Sequence, residues 1–425
     1  MTDFVVSNAR TTTFNLASGD SLSLTASGSI VPMSGHGVFG ANANALTIEG
    51  DIITRSGTGV LLGTSGFGVN TLSALGTGLV MGLNGVSVNG SLNLTNAGNI
   101  IATQTGSIAL GIGGGRGVIA NSGLISGDGF GIFTSGLGAP GFEITNTGLV
   151  HSGGTGIRLT TDNNTVMNFG TIDAGNIALQ TTEGFLTRNI TVNWGTILSR
   201  TSAAISTADG NDLITNRGSI VAASASVSTG RGDDVFDNSL GGVVSGAINM
   251  GDGDDLVIAG VGAENINGDA GSDTVSYASS PKKMLINLTG QVTTDADGVT
   301  DTLSGIENAV GSAFDDAVYG DGPTTSWTVG REASTKSSAG AARTRFPMLP
   351  PAVRFSSTSP ARSRLTAWRL TLSHPSRMRL ARASTIPFTV TMGTTCSTVG
   401  RTARTKSSAG SAPTPYPTRP RHGRS

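Results

Sequence analysis

Short turns rich in glycine and carboxylates recur through the middle of the chain. Four of them read Ala208-Asp-Gly-Asn-Asp212, Gly230-Arg-Gly-Asp-Asp234, Gly251-Asp-Gly-Asp-Asp255 and Gly268-Asp-Ala-Gly-Ser-Asp273. Ca²⁺ takes six to eight oxygen ligands, at about 2.3–2.6 Å, from carboxylates and backbone carbonyls. Glycine lets the backbone adopt the left-handed conformations that present such carbonyls. The turns therefore predict Ca²⁺ sites, although any one of them alone is equally typical of an ordinary Asp-Gly turn.

The turns keep register with a strand repeat. Their last aspartates recur at the near-constant spacings of 22, 21 and 18, at Asp212, Asp234, Asp255 and Asp273. The first three lie seven residues after an apolar position, at Ile205, Val227 and Ile248. A constant period places equivalent residues of successive coils on one edge of a solenoid. Carboxylates stacked along that edge would repel one another strongly without a cation between them.

Ca²⁺ is the only cofactor that the sequence predicts. The predicted metal ligands are the aspartates and glycines of the ladder and of its continuation near residue 315: Asp209, Asp212, Gly230, Gly232, Asp233, Asp234, Gly251, Asp252, Gly253, Asp254, Asp255, Gly268, Asp269, Gly271, Asp273, Asp315 and Asp316. No catalytic residues and no organic cofactor are predicted.

A second repeat, Asn-x-Gly-x-aliphatic, begins well before the acidic turns. Its asparagines recur at spacings of 25, 25, 22, 25 and 23, at Asn96, Asn121, Asn146, Asn168, Asn193 and Asn216. A further aliphatic position tracks them, at Ile108, Ile132, Ile157, Ile177, Ile205, Val227 and Ile248. Short β-like runs separated by Gly, Asn and Ser turns predict a right-handed parallel β-helix rather than low-complexity disorder. The asparagines should stack at one corner and hydrogen-bond from coil to coil.

Composition supports an elongated repeat. The 425 residues include 63 glycines and only 5% aromatic residues, which suits coils that need small inward-facing apolar side chains. The single cysteine, Cys396, excludes a disulfide framework within one chain. No apolar run approaches the roughly 18 residues of a membrane span, and residues 1–10 lack the basic and apolar regions of a cleaved secretory signal.

Three nine-residue segments carry a family resemblance: Thr229–Asp237, Met250–Ile258 and Gly268–Ser276. They resemble the Gly-Gly-x-Gly-x-Asp-x-aliphatic-x repeats of RTX (hemolysin-type) calcium-binding proteins, although each lacks one or two of the consensus glycines. Asp301–Asp316 is similar to a linker often found between such repeats. The resemblance implies Ca²⁺-triggered folding outside the cell, type I secretion with an uncleaved C-terminal signal, and a bacterial extracellular or cell-surface location. The first coils are longer than the two nonapeptides usual in that family, which leaves the number of sites open.

The composition changes sharply after Gly322. Residues 1–322 carry 10 Lys and Arg against 27 Asp and Glu, whereas residues 323–425 carry 17 against one acid, Glu332. Such a basic segment predicts a disordered tail with a general attraction for nucleic acid or membranes. A shifted reading frame explains more: with permitted codons, residues 376–386 become IENAVGSSVDD, close to residues 306–316. We therefore predict that the tail is frameshifted RTX sequence and that nucleic acid is not a partner.

The predicted architecture is all-β, a right-handed parallel β-helix running into a calcium-binding β-roll and followed by a disordered tail. The predicted boundaries are 1–200, 201–322 and 323–425. The predicted function is that of a secreted, non-enzymatic adhesive or structural protein, with cell-surface or matrix glycans as candidate partners. The alternative is a Ca²⁺-stabilised carbohydrate-active enzyme of the polysaccharide lyase or epimerase type. Its candidate groove residues, Arg158, Asp162 and Asp173, are scattered charges more typical of a solvated surface.

Overall fold

The fold was obtained as a computed structural model. It describes residues 1–320 apart from 64–67, 137–140 and 183–187, together with short strands beyond residue 325. The described residues contain strands and no helix, and the strands of the solenoid pair in parallel almost throughout. The predicted all-β parallel solenoid is therefore confirmed. Most of the predicted disordered tail lies outside the described residues.

The coils of the solenoid have three sides, each a column of parallel strands. The first column contains Asp3–Val6, Ser21–Leu24, Ala45–Ile48, Val69–Ala74, Glu143–Asn146, Thr165–Asn168, Ile190–Asn193, Leu213–Asn216, Val235–Asp237, Leu256–Ile258, Thr274–Ser276 and Asn308–Val310. The second contains Ala9–Arg10, Ser29–Ile30, Asp51–Ile53, Leu79–Gly82, Asn99–Ala102, Leu124–Gly127, Leu149–Ser152, Thr171–Ala174 and Thr196–Ser199. The third contains Phe14–Leu16, Val38–Gly40, Val60–Leu62, Phe130–Ser135, Thr155–Leu159, Leu179–Thr181, Ile205–Ser206, Asn265–Asn267 and Thr300–Ser304.

Four longer strands join one column to the next. Val86–Asn96 and Ile108–Asn121 run from the third column into the first, and Ser219–Ser228 and Val243–Asn249 run from the second into the third. Met284–Asn287, Val292–Asp295 and Ala317–Tyr319 complete the described solenoid, the first two as an antiparallel pair. Ser326–Thr328, Lys336–Ser337 and Ser356–Ser357 add parallel strands. Leu370–His374, Arg377–Leu380 and Thr389–Val390 form an antiparallel sheet in a separate unit, Arg364–Ser425.

The core is a stack of aliphatic side chains inside the three columns. Alternate residues of a strand face opposite sides of a sheet, so each short strand contributes one or two inward side chains. Ile144, Val150 and Ile157 are the buried contributions of the three strands of one coil. Successive coils repeat this arrangement in register, so the core is continuous along the described solenoid. Because each coil packs only on its neighbours, the solenoid can grow without large hydrophobic residues.

The asparagine repeat forms a continuous ladder, as predicted. Each side-chain amide donates to the Oδ1 atom of the next asparagine at 2.7–2.9 Å, in the order Asn96, Asn121, Asn146, Asn168, Asn193, Asn216 and Asn238. The ladder occupies the corner between the first and second columns and is buried. At its far end, Asn238 donates to Glu264 Oε1. Hydrogen bonds in such a buried row satisfy groups that water cannot reach.

Replacing one member of the ladder should destabilise the solenoid. Asn168→Ala removes the acceptor of Asn146 and the donor to Asn193, both at 2.8 Å. A buried polar group left without a partner costs about 1–3 kcal/mol, so we expect a loss of about 3 kcal/mol in the free energy of unfolding. Urea denaturation followed by circular dichroism measures it. Thr165→Ala, a partly exposed position in the same strand, is the matched control and should change stability by less than about 0.5 kcal/mol. Equal effects of the two changes would contradict this role of the ladder.

The solenoid narrows from three sides to two. The last strand segment of the second column pairs Val221 with Ser245. Beyond it the chain alternates between the first and third columns, at Leu256–Ile258, Asn265–Asn267 and Thr274–Ser276. These strands begin nine residues apart, so a coil of two such strands spans two nonapeptides. The loss of the second column therefore accounts for the shorter spacing between Asp255 and Asp273.

Candidate metal centre

The acidic turns lie one above another at the corner between the third and first columns. Isolated parallel bridges join Asp209 to Arg231, Arg231 to Asp252, and Asp252 to Ala270. Backbone N–H groups of Gly210, Gly232 and Gly253 donate to the carbonyls of the next turn at 2.7–2.8 Å. The turns are thus in close backbone contact along the solenoid.

This stacking requires glycine two residues before the last aspartate of each turn. Gly210, Gly232, Gly253 and Gly271 all have positive φ, between 116° and 152°. A Cβ atom on Gly253 would collide with the carbonyl oxygen of Gly232, and one on Gly271 with that of Gly253. Only glycine adopts this conformation without strain and leaves room for the neighbouring carbonyl. The glycines therefore let the carbonyl oxygens of Gly232 and Gly253 lie against the next turn along this edge.

The last aspartate of each turn belongs to an inner row of hydrogen bonds. Asp212, Asp234, Asp255 and Asp273 are all buried, with 1–2% of their surface exposed. Each Oδ1 atom accepts the backbone N–H of the equivalent residue in the preceding coil, Asn189 for Asp212 and the preceding aspartate for the others, at 2.7–2.9 Å. The four aspartates thus hold successive coils in register.

Upstream, the same row is made by asparagine. Asn164 Oδ1 accepts the N–H of Phe142, and Asn189 Oδ1 accepts the N–H of Asn164, both at 3.0 Å. The hydrogen bond between coils therefore needs only one amide oxygen. The change from Asn to Asp, which begins at Asp212, adds a negative charge that the hydrogen bond does not require.

Among the described residues, the second oxygen of each ladder aspartate has no hydrogen-bond partner. The Oδ2 atoms of Asp212, Asp234, Asp255 and Asp273 are buried without a hydrogen bond, and so is that of Asp316. Asp316 otherwise follows the same pattern, because its Oδ1 atom accepts the N–H of Met284 at 2.7 Å. A buried carboxylate oxygen without a donor is costly. The nearby hydroxyls of Thr207 and Thr229 lower the pKa of Asp212 and of Asp234 in part, but both pKa values stay raised. Each of these carboxyls therefore needs either a proton or a cation.

Two of these oxygens point into the concavity of their own turn. A Cβ atom at Gly268 would collide with Asp273 Oδ2, and one at Gly311 would collide with Asp316 Oδ2. The space is therefore available because the first residue of the turn is glycine. Carbonyls and a carboxylate oxygen around such a space suit the oxygen coordination of Ca²⁺.

The raised pKa values of the inner aspartates also indicate that these carboxyls need a proton or a cation. Burial, together with the neighbouring carboxylates of Asp212 and Asp255, raises the pKa of Asp234 to about 8. Burial and nearby carboxylates together raise the pKa of Asp255 and of Asp273 to about 6. The pKa values of Asp212 and Asp316 are raised by burial as well. A bound cation would offset these costs of ionisation.

The remaining predicted ligands occupy the outer rim of the turns. The N–H groups of Asp233, Asp254 and Ser272 each donate to the Oδ1 atom of the equivalent residue one coil back, at 3.0–3.2 Å. This outer row runs in the opposite direction to the inner one, and its carboxylates are exposed. Asp252 makes a 3.4 Å ion pair with Arg231.

The structure thus brings most of the predicted ligands onto one edge. Asp209, Gly230, Gly251 and Asp269 also lie in the stacked turns, with Asp269 at a positive φ of 68°, and Asp315 is exposed next to Asp316. Within the described residues, no three His, Cys, Asp or Glu side chains converge into a metal-binding cluster. A cation here would therefore take most of its ligands from backbone carbonyls.

A second acidic pair, absent from the predicted ligands, lies at the opposite edge of the two-sided region. Glu264 follows Asp255 by nine residues and precedes Asp273 by nine, in the turn Gly260-Val-Gly-Ala-Glu264. Its backbone N–H donates to Asp301 Oδ1 at 2.9 Å. The nine-residue period, with Glu in place of Asp, is the sequence signal that would have found it.

The oxygens of this pair are fully provided with protein donors, unlike the Asp ladder. Glu264 accepts hydrogen bonds from Asn238 and the Gly260 N–H, and Asp301 Oδ2 accepts the hydroxyls of Tyr277 and Thr293. Burial raises the pKa of Glu264 to about 7. No oxygen of the pair is left for a cation. We infer that this edge is held by hydrogen bonds alone.

A neutral replacement should therefore be tolerated at the second edge. Glu264→Gln keeps the acceptor oxygen and removes a charge that burial disfavours, so we expect the free energy of unfolding to change by less than about 1 kcal/mol. The Ca²⁺ affinity should be unchanged. Urea denaturation and calorimetric Ca²⁺ titration test both expectations, with Asp255→Asn as the contrasting variant. A loss of Ca²⁺ affinity in Glu264→Gln equal to that in Asp255→Asn would place a cation at the second edge.

Comparison with known proteins gives no relative: no protein-family model, no curated protein and no solved structure matches the chain. Among the described residues, no helix is long and apolar enough to cross a membrane.

Proposed function

We propose that the chain is a secreted bacterial calcium-binding repeat protein, in which Ca²⁺ held between stacked Gly/Asp turns completes the folding of an adhesive or structural β-solenoid. The observation that carries the proposal is the row of buried Oδ2 atoms at Asp212, Asp234, Asp255 and Asp273, which have no hydrogen-bond partner in the described part of the chain. Asparagine makes the same hydrogen bond between coils upstream, so this contact does not explain why these positions carry a charge. Binding of a cation explains the charge.

The role of Ca²⁺ in this proposal is thermodynamic. Without the ion, stacking the turns buries ionised carboxylates beside one another, which opposes folding near neutral pH. With the ion, the carboxylate and carbonyl oxygens become ligands, and the binding free energy adds to the folding free energy. Ca²⁺ is scarce in cytosol and abundant outside cells. Export of a partly unfolded chain, followed by folding outside the cell, is consistent with the resemblance to RTX proteins and with type I secretion.

The proposal is tested by a Ca²⁺ titration of folding. The free energy of unfolding is measured by urea denaturation in chelator and in Ca²⁺, with Mg²⁺ as the ionic control. The variant Asp212→Asn/Asp234→Asn/Asp255→Asn/Asp273→Asn is matched to the asparagine row that the chain already contains. We expect Ca²⁺ to stabilise the native chain strongly and the variant little. Equal stabilisation of both chains would overturn the proposal.

The partner of the assembled solenoid is proposed from its surface. The outward positions of the first column are rich in Ser and Thr over residues 21–165, and these hydroxyls suit hydrogen bonding to glycans on cells or matrix. The exposed rings of Phe169 and Trp194 stack on each other with centroids 6.1 Å apart, and the guanidinium of Arg217 lies 4.3 Å from the centre of the Trp194 ring. Since both faces of the indole are occupied, sugar contact would rest on the hydroxyl and amide side chains. Binding to a glycan array, with and without Ca²⁺, tests this part.

The enzymatic alternative requires a groove of acids and Arg from adjacent coils. Of its three candidate residues, Arg158 lies on the third column, Asp162 in the turn after it and Asp173 on the second column. They therefore do not form one groove. Screening for depolymerase activity against uronate polymers tests the alternative, and activity lost in Asp173→Asn would support it.

A further inference from the structure

A serine, a histidine and an aspartate occupy the same outward position on three consecutive strands of the second column. The parallel register pairs Ser126 with His151, and His151 with Asp173. Neighbouring strands of a sheet lie about 4.8 Å apart, so the three side chains form one row along the solenoid. This row is on a different face from the acidic turns.

The histidine is fixed by the aspartate, and the aspartate by an arginine. His151 Nδ1 lies 3.0 Å from Asp173 Oδ2. Arg200, from the next coil, approaches both carboxylate oxygens of Asp173, at 2.5 and 2.8 Å. The side chain of Asp173 is 16% exposed, against 41% for His151 and 49% for Arg200. A half-exposed imidazole is therefore anchored on a largely covered carboxylate.

These contacts determine which imidazole nitrogen of His151 carries the proton. Burial alone would raise the pKa of Asp173, but the hydrogen bonds from Arg200 and His151 lower it overall, so this carboxylate is ionised and can only accept. The Nδ1 atom of His151 must then carry the proton, which leaves Nε2 with the lone pair. Nε2 has no hydrogen-bond partner in the described part of the chain, and Ser126 stands on the strand on the other side of the ring.

We propose that Ser126 is an activated nucleophile toward acyl esters, with His151 as its general base. Asp173 and Arg200 are positioning residues that hold the tautomer and orientation of the imidazole. The Ser126 oxygen forms a bond to the acyl carbon while its proton passes to His151 Nε2. The bond from the acyl carbon to the ester oxygen breaks, and the leaving alcohol takes that proton. Water then releases the acid and restores the serine.

The absence of free backbone donors on this face of the sheet, within the described residues, determines how the activity should be measured. Backbone N–H groups of the second column are committed to neighbouring strands, so the row offers a nucleophile and a base but no pair of backbone donors for an oxyanion. Such donors contribute about 10²–10³ to turnover. Single covalent labelling of the serine is therefore a more direct probe than turnover.

The test treats the full chain, in Ca²⁺, with a fluorophosphonate probe and locates the label by mass spectrometry. We expect labelling of Ser126, none in Ser126→Ala, and a rate about 100-fold lower in His151→Asn, the scale of general base catalysis. Arg200→Lys should retain more of the labelling rate than Arg200→Gln. Circular dichroism verifies the fold of each variant.

Two matched controls isolate the row. Ser245 is an outward serine of the same column whose strand neighbour is Val221, and Ser245→Ala should leave labelling unchanged. His36, whose Nδ1 atom accepts the N–H of Thr58, provides the control His36→Asn. An unlabelled Ser126 under conditions that label an authentic serine hydrolase would overturn the proposal. So would a folded His151→Asn variant that labels at the native rate.

Discussion

Asp234→Asn should make the chain more stable in chelator and less responsive to Ca²⁺. Among the ladder residues, we expect the largest effect at Asp234, because burial and two neighbouring carboxylates raise its pKa to about 8. At pH 8.5 its ionised form carries a cost on the order of 3 kcal/mol, since one pKa unit corresponds to about 1.4 kcal/mol and relaxation recovers part of the shift. Asparagine fits the same slot upstream at Asn164 and Asn189.

The measurement for Asp234→Asn is urea denaturation at pH 8.5, in chelator and in millimolar Ca²⁺. We expect the free energy of unfolding to rise in chelator and the gain from Ca²⁺ to shrink, so that the two curves approach each other. The control is Asn164→Ala, which removes the acceptor of the Phe142 N–H further upstream in the same row, where the side-chain neighbour is Asn189 rather than a carboxylate. It should destabilise the chain equally in both media. An Asp234→Asn variant that is destabilised in chelator would show that the carboxylate is satisfied without a cation.

In chelator, the stability of the native chain should fall as pH rises from about 4 to about 8. The ladder aspartates have folded pKa values of about 6 for Asp255 and Asp273 and about 8 for Asp234, against an ordinary value of 3.8. The folded state therefore binds more protons than the unfolded state across this window. The stabilising contribution of these protons is fully present below pH 3.8 and is lost as pH passes through the folded pKa values; Asp234 alone contributes on the order of 3 kcal/mol, and Asp255 and Asp273 add to it.

Ca²⁺ should reverse that dependence, because the ion binds the deprotonated carboxylates. Denaturation midpoints at pH 5 and pH 8, with and without Ca²⁺, test both statements. The variant with asparagine at all four ladder positions should lose most of the slope in chelator. Glu264, whose pKa is raised to about 7, also lowers stability in chelator as pH rises. The Glu264→Gln variant measures its contribution to that slope. A native chain that becomes more stable in chelator as pH rises would contradict the account.

Repetition made the architecture predictable. The asparagine spacing predicted both the corner and the ladder of side-chain hydrogen bonds, because a side chain repeated once per coil can meet only its own equivalents. The position of the acidic turns followed from their constant distance to the third column, at Ile205, Val227 and Ile248. A local contact that recurs with the period is therefore readable from sequence.

Register within a strand was less predictable. Ile108 and Ile177 were predicted to align with the aliphatic stack of the third column, and both predictions were wrong. Leu110 pairs with Ile132 instead, and Leu179 pairs with Ile157. Each error is two residues, and residues two apart face the same side of a strand. Alternation alone therefore cannot choose between them, and the length of the preceding turn decides.

Other features depended on contacts that the sequence does not display. Glu264 was missed because Glu replaces Asp in its turn, and because the hydroxyls of Tyr277 and Thr293 that hold its partner Asp301 lie far from Glu264 in the sequence. The row of Ser126, His151 and Asp173 was missed because three unlike residues share one period. Whether an acid is satisfied by protein donors or left without a partner, the difference between Asp301 and Asp273, follows only from the packed structure.

Isothermal titration calorimetry of the refolded chain shows whether Ca²⁺ binds along the inner row of aspartates. We expect saturable binding of more than one Ca²⁺ per chain, competition by protons below pH 6, and loss of that binding when Asp212, Asp234, Asp255 and Asp273 are replaced by asparagine. Millimolar Ca²⁺ that produces no saturable heat in the folded native chain, or equal binding by the native and asparagine chains, would contradict Ca²⁺ binding along this row.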